Sequence, residues 1–223
     1  MTLLDYPEKV ACTVFLPGCN LRCPYCHNSS LVLPPRIGKG FPEEELLEFL
    51  SRRKGKLDGV CITGGEPTIH KDLPELICKI RNLGFLIKLD TNGSNPSMLE
   101  ELIADRLIDY VAMDIKNSPQ MYARTCGEIS ILPQAEKSVE LLKSNVISCE
   151  FRTTVCKPFH SVQTMKELGK WIQSCGAYYL QNFEDSGDLV GSGMSPFSEA
   201  ELQDLLNAVR DYVPAARIRG QQD

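Results

Sequence analysis

Short apolar runs alternate with amphipathic ones along the whole chain. Val10–Leu16, Gly59–Thr63, Phe85–Asp90, Tyr110–Ile115, Val146–Val155 and Ala177–Leu180 are brief and largely apolar, β-branched or aromatic. They lack a clean two-residue alternation, as strands buried on both faces of a parallel sheet do. Between them apolar residues fall at helical spacing. Leu46, Leu47, Phe49 and Leu50 form one stripe behind Glu43, Glu44 and Glu45, where a helix N-terminus favours negative charge. Leu73, Leu76, Ile77 and Ile80 form a second, with Asp72 and Glu75 placed as a capping box and Gly84 as a stop. Ser97 with Glu100, and Ser198 with Glu201, repeat the capping pattern before further apolar runs. The last helix is expected over about 198–213, after a loop at Gly187–Ser198.

Six strand–helix units in series predict a parallel sheet with right-handed crossovers. A closed barrel takes eight such units, so the expected fold is α/β, a single-domain partial (β/α)6 barrel whose parallel sheet is open on one side. Residues 1–223 carry no linker, repeat or low-complexity tract and are read as one domain. Polar residues mark one working face. Glu66 follows the second strand, Asp90 ends the third, Asp114 lies near the end of the fourth, Arg152 is late in the fifth, and Gln181 follows the sixth. Parallel strands present their C-terminal ends on the same side, where ligands bind.

Composition narrows the classes. With 43% hydrophobic and 24% charged residues the chain has the balance of a soluble globular protein. A formal charge of −5 argues against nucleic-acid binding, which needs a basic surface. No apolar run is long enough to cross a bilayer, and Asp5 and Glu8 interrupt any signal-peptide pattern, so a cytoplasmic protein is expected. Ten cysteines in a reducing compartment are not read as disulfides. Cys12, Cys61, Cys78, Cys126, Cys149, Cys156 and Cys175 are scattered and read as small apolar side chains.

Cys19, Cys23 and Cys26 are different, because spacings of four and three put three thiolates on one short loop at 17–35. Zinc could be completed by His27, but that residue adjoins Cys26, and no second pair of cysteines lies elsewhere. A cubane iron–sulfur cluster normally takes four thiolates; three leave one iron free to bind a substrate. Spacing favours iron over zinc and leaves both open. Thr63-Gly64-Gly65-Glu66-Pro67 follows the second strand, where glycines allow close backbone approach and a carboxylate can receive an ammonium group. No Walker sequence or Ser-His-Asp arrangement is present, and Gly191-Ser192-Gly193 does not continue into a dinucleotide fingerprint.

The C-x3-C-x2-C loop, with Tyr25 before the third cysteine, resembles the signature of the radical S-adenosylmethionine superfamily. That resemblance implies a [4Fe–4S] cluster on Cys19, Cys23 and Cys26. Its unique iron would chelate S-adenosylmethionine, which an electron from the reduced cluster cleaves to methionine and a 5′-deoxyadenosyl radical. Gly64-Gly65-Glu66 is similar to the superfamily's motif for the methionine amino group. Asp90-Thr91-Asn92-Gly93 and Asp114-Ile115-Lys116 resemble segments of glycyl-radical-enzyme activating enzymes that contact the cofactor's carboxylate and ribose. There the two aspartates can also help bind a monovalent cation. Arg152 can face a carboxylate or form an ordinary ion pair. His27 and Asn28 extend the loop as in these activating enzymes; His27 can bond the cofactor or hold the loop, and Tyr25 can pack against adenine. His160, after Pro158, is read as a surface loop residue.

Leu3-Leu4-Asp5-Tyr6-Pro7, the stretch from Leu89 to Pro96, Tyr110–Lys116 and Phe151–Val155 together resemble the short activating proteins of anaerobic ribonucleoside-triphosphate reductase. The chain begins almost at Leu-Asp-Tyr-Pro, without the short lead expected there, as a truncated or re-annotated start would. The implied partner is a glycyl radical enzyme, with flavodoxin or ferredoxin as electron donor, and neither nucleic acid nor membrane. Pyruvate formate-lyase is an alternative partner. A small-molecule radical enzyme of deazapurine synthesis would share cluster and fold; a zinc-binding interaction module is the non-enzymatic alternative.

Overall fold

The computed structural model describes residues 2–34 and 37–220. Pro35, the last residue of the expected cysteine loop, lies outside them, as do Met1 and the last three residues. Seven strands form one sheet in chain order, every neighbouring pair parallel: β1 (Ala11–Leu16), β2 (Gly59–Gly64), β3 (Leu86–Thr91), β4 (Tyr110–Asp114), β5 (Ser148–Val155), β6 (Tyr178–Asn182) and β7 (Arg217–Ile218). β1 and β7 are the two edges, so the sheet is an open partial barrel, as expected. All six expected strands are present. β7 was missed, because two residues carry no readable periodicity.

Among the described residues eight α-helices accompany the strands: α1 (Ser29–Val32), α2 (Glu43–Ser51), α3 (Leu73–Asn82), α4 (Pro96–Ala104), α5 (Tyr122–Thr125), α6 (Leu132–Lys143), α7 (Val162–Trp171) and α8 (Glu199–Arg210). Outward-facing Val60, Ile62, Ile87, Leu89, Val111 and Met113 are fully buried in one apolar cluster with Leu73, Ile77 and Ile80 of α3 and Leu99 and Leu102 of α4. The strand register puts alternate residues on the other face, in the barrel interior. Lys88 is level with Tyr110, Asp90 with Ala112, and Asp114 with Arg152. Parity of side chains along a strand therefore separates an oily outside from a charged inside.

Local signals held in part. Ser198 caps α8 reciprocally with Glu201, Glu43–Glu45 occupy the first turn of α2, and Gly84 follows α3 at φ +95°. Two expected capping boxes are absent: Asp72 makes no side-chain cap bond, and α4 starts earlier, at Pro96, where Asn95 accepts from Met98 N at 3.2 Å. Proline at the first helical position is pre-set for that start. Phe49 leaves its stripe for the surface, where Arg53 stacks 4.8 Å from its ring centroid. Cys78 is exposed rather than packed. Tyr6, from the N-terminal motif, is buried beside Tyr110 at the barrel floor, its ring 6.1 Å away.

Candidate active site at the strand ends

A cavity of about 260 Å³ opens at the C-terminal ends of the strands; the fourteen residues expected to bind the cluster and cofactor line it, whereas Gln181, expected on the same face, does not. Cys19, Cys23 and Cys26 share it with Tyr25, His27 and Asn28 from the same loop. Asp90, Asn92, Asp114, Lys116 and Arg152 form the facing wall, and Gly64, Gly65 and Glu66 lie between.

The cysteine loop is held from several sides. Gly18 N donates to Leu31 O at 2.7 Å, Cys26 N to Cys23 O at 3.0 Å, and the Arg22 guanidinium to the Cys19 and Leu21 carbonyls at 2.6 Å each. Ser29 Oγ donates to Asp188, and Gly191 N to Pro24 O at 2.8 Å, so the segment after β6 lies over the loop. Asn92 Nδ2 donates to Asn20 Oδ1 at 3.0 Å and Asn20 Nδ2 to Ser94 Oγ at 2.8 Å, joining the loop to the end of β3.

The two glycines have a steric cause. Gly64 is at φ +125°, and a Cβ there would lie 2.2 Å from Leu16 O; at Gly65 it would lie 1.9 Å from Gly18 O. Only backbone without side chains permits β2 to run on against β1 and the cysteine loop, where Gly65 N donates to Leu16 O and Glu66 N to Gly18 O. Asn28 Nδ2 closes the corner by donating to Gly64 O at 3.1 Å. Glu66 is fully buried. Its Oε1 accepts from Thr68 N, Thr68 Oγ1 and Thr91 Oγ1 at 3.0, 2.6 and 2.7 Å. Its Oε2 accepts from Asn92 N at 2.6 Å and keeps a lone pair for one more donor. Burial pushes this carboxyl above its ordinary value, against those bonds.

Charge on the facing wall is organised around Arg152. Its Nη1 donates to Asp90 Oδ2 at 3.0 Å, and its Nε and Nη2 to Asp114 Oδ1 at 3.0 and 2.9 Å. Lys116 Nζ reaches Asp114 Oδ2 at 3.0 Å. Burial alone would raise the Asp114 carboxyl, but Lys116 and Arg152 hold it well below its ordinary value.

Three residues here were not legible beforehand. Cys126 is buried next to Cys23 and pulls that thiol below its ordinary value, against the effect of burial. Burial instead raises Cys19 to about 11. Lys88 reaches Asp90 from inside the barrel. His160 is no surface residue: it is buried, its Nε2 lies 3.0 Å from Lys116 O, and Cys156 N donates to its Nδ1 at 3.2 Å. The cause is the return of the chain after Pro158 under Tyr25, whose ring lies 6.4 Å from the imidazole and 6.1 Å from Phe159.

The donor set suits a polynuclear centre. Ligands of one zinc ion, each about 2.3 Å from it, must crowd together. The three thiols line one shared cavity with Tyr25, whose buried hydroxyl has no hydrogen-bond partner among the described residues. Three sulfur ligands with nitrogen and oxygen groups opposite them fit an iron–sulfur cluster with one iron left for a chelating ligand.

Comparison with known proteins agrees. A family profile described as Radical SAM superfamily matches residues 13–172. A protein of Methanocaldococcus jannaschii, provisionally named a glycyl-radical enzyme activating enzyme, is 34% identical over 230 residues, covering 98% of this chain and 92% of its own length. A 7-carboxy-7-deazaguanine synthase of Hyperthermus butylicus is 40% identical over 85 residues, 38% of this chain and 35% of that one. Among solved structures, Streptococcus suis SuiB bound to S-adenosylmethionine superposes with a TM-score of 0.73 at 19% identity, over 97% of this chain and 51% of SuiB. That last likeness is one of fold, and the chain spans about half of SuiB's length.

Proposed function

Because the chain belongs to the radical SAM superfamily, whose enzymes work with a [4Fe–4S] cluster and S-adenosylmethionine, we propose that it activates a glycyl radical enzyme, anaerobic ribonucleoside-triphosphate reductase. The cluster and the bound cofactor supply a 5′-deoxyadenosyl radical, which takes a hydrogen atom from a backbone glycine of the partner. The single observation that carries the reading is a cavity with three thiols on one wall and an acid–base array on the other, in a chain alike over nearly its whole length to an activating enzyme.

In this reading Cys19, Cys23 and Cys26 hold the cluster. The free lone pair of Glu66 Oε2 receives the methionine ammonium, with the Gly64 and Gly65 backbone alongside. Arg152 and Lys116 face the methionine carboxylate, and Asp114 and Asn92 offer acceptors and donors to the ribose. A monovalent cation would compete with Arg152 for Asp90 and Asp114. Tyr25, backed by Phe159, walls the adenine, while His27 and Asn28 shape the rim. The partner's glycine segment enters on the open side between β1 and β7, the edge strands of the sheet. The electron arrives from flavodoxin or ferredoxin.

Anaerobic reconstitution, reduction and assay for 5′-deoxyadenosine test the cofactor chemistry; none formed by fully loaded protein would refute it. Adding purified anaerobic reductase should then give a glycyl doublet by electron paramagnetic resonance. A doublet only with pyruvate formate-lyase would reassign the partner. The local likeness to a deazaguanine synthase favours a second reading, a small-molecule enzyme acting on a pterin-like substrate. Turnover of such a pterin with no glycyl doublet would select it. Cys23→Ala should abolish iron loading while exposed Cys78→Ala leaves it intact.

A further inference from the structure

Lys88 has no part in the chemistry above, yet its position is costly. It lies on the interior face of β3, two residues before Asp90, with its side chain completely shielded from solvent. Its ammonium meets the Asp90 carboxylate through Oδ1, lies 4.0 Å from Cys61 Sγ, and faces the Tyr110 ring 5.9 Å away. One carboxylate is its charged partner. A buried ion pair is weak evidence for stability, since apolar residues of similar size serve as well or better. A leucine or methionine would fill this interior, so what the lysine adds is its charge on Asp90.

That charge acts on a balanced array. Arg152 bonds Asp90 and Asp114, with Glu150 3.9 Å away. Each of these three carboxylates is backed by its own outer cation: Lys88 behind Asp90, Lys116 behind Asp114 at 3.0 Å, and Arg219 behind Glu150 at 3.3 Å. Lys116 lines the cavity and Arg219 also ties down Leu4 O at 3.1 Å, so both have evident further uses. With Lys88 removed, Asp90 would have Arg152 as its cationic partner and would draw the guanidinium away from Asp114. The planar guanidinium fork gives up its bidentate geometry when one partner moves.

We propose that Lys88 is a positioning residue of the cofactor pocket: it anchors Asp90 from inside the barrel and so fixes the Arg152 fork toward the methionine carboxylate of S-adenosylmethionine. The proposal rests on the assignment of Arg152 to the methionine carboxylate made above. It separates two properties that a packing role would tie together, the affinity for S-adenosylmethionine and the stability of the fold.

The test is calorimetric titration of S-adenosylmethionine into cluster-loaded protein without oxygen, with melting temperatures measured in parallel. Lys88→Met should bind about ten- to a hundredfold more weakly, the scale on which supporting residues act. It also deprives the buried Asp90 of a partner and should melt lower, whereas Lys88→Met with Asp90→Asn, which removes that charge, should recover melting but not affinity. Lys88→Ala should regain affinity in ethylammonium chloride but not in choline chloride of equal ionic strength, because the small ammonium refills the space beside Asp90. Wild-type affinity in Lys88→Met, with affinity lost in Asp90→Asn and Arg152→Met, overturns the proposal and leaves the site assignment standing. Wild-type affinity in all three refutes the assignment as well. Should Lys88→Met not fold, the Lys88→Ala titration decides; failure of both to fold makes the lysine structural and also overturns the proposal.

Discussion

Acid should destabilise this protein through His160, and the effect can be isolated. At Nδ1 the imidazole meets both Cys156 N and Cys156 O, at 3.2 Å each, and at Nε2 it meets one acceptor, Lys116 O at 3.0 Å. A neutral ring protonated at Nε2 donates to Lys116 O and accepts from Cys156 N; a second proton, on Nδ1, would have Cys156 O as acceptor but would put a charge in a site shielded from water. Burial pushes His160 from 6.5 down to about 4, although its bonds to Lys116 and Cys156 pull the other way. The unfolded chain therefore takes up a proton near pH 6.5 that the folded chain refuses until about pH 4. Stability is full above pH 6.5 and falls with pH in that window by about 1.4 kcal/mol per unit, about 3 kcal/mol in all. Equilibrium urea unfolding of cluster-free, reduced protein at a series of pH values measures it. His160→Gln keeps a donor and an acceptor but does not titrate. The carboxylates contribute equally to both proteins, including Asp114, whose lowered value makes stability fall in acid as well. Wild type should thus lose about 3 kcal/mol more than the variant between pH 7 and pH 4. Parallel stability curves for the two proteins would refute the reasoning.

Two further substitutions probe how the site is built. Gly65→Ala would drive a methyl group into Gly18 O and within 3.3 Å of Cys19 Cβ, so it should cost about 3 kcal/mol and lower the iron bound per chain; unchanged iron content and urea midpoint would contradict the close-approach account. Ser198→Ala removes the acceptor for Glu201 N and should lower stability by about 1 kcal/mol without touching iron loading. A loss of iron in that variant would mean that α8 supports the cavity more directly than its packing indicates.

The sequence alone determined what local pattern can encode. Strand and helix periods placed β1 to β6, and the strand ends brought Glu66, Asp90, Asp114 and Arg152 to one face, because parallel strands share their direction. The cysteine spacing and the paired glycines were legible because their constraints act within a few residues; others, such as Asn92 and Lys116, came from the resemblance to glycyl-radical-enzyme activating enzymes, and all fourteen line one cavity. Tertiary structure decided the rest. Neither Cys126 nor His160 carries a local signal, since each matters through a partner far away in the chain, Cys23 and Lys116. The capping residue of α4 and the two-residue β7 depended on backbone geometry and on a neighbouring strand that sequence windows do not contain. Lys88 is the sharpest case. A single lysine in an apolar strand reads as noise, and only closure of the barrel around it, with Asp90 and Arg152 above and Tyr110 beside it, turns a buried charge into a support for the pocket.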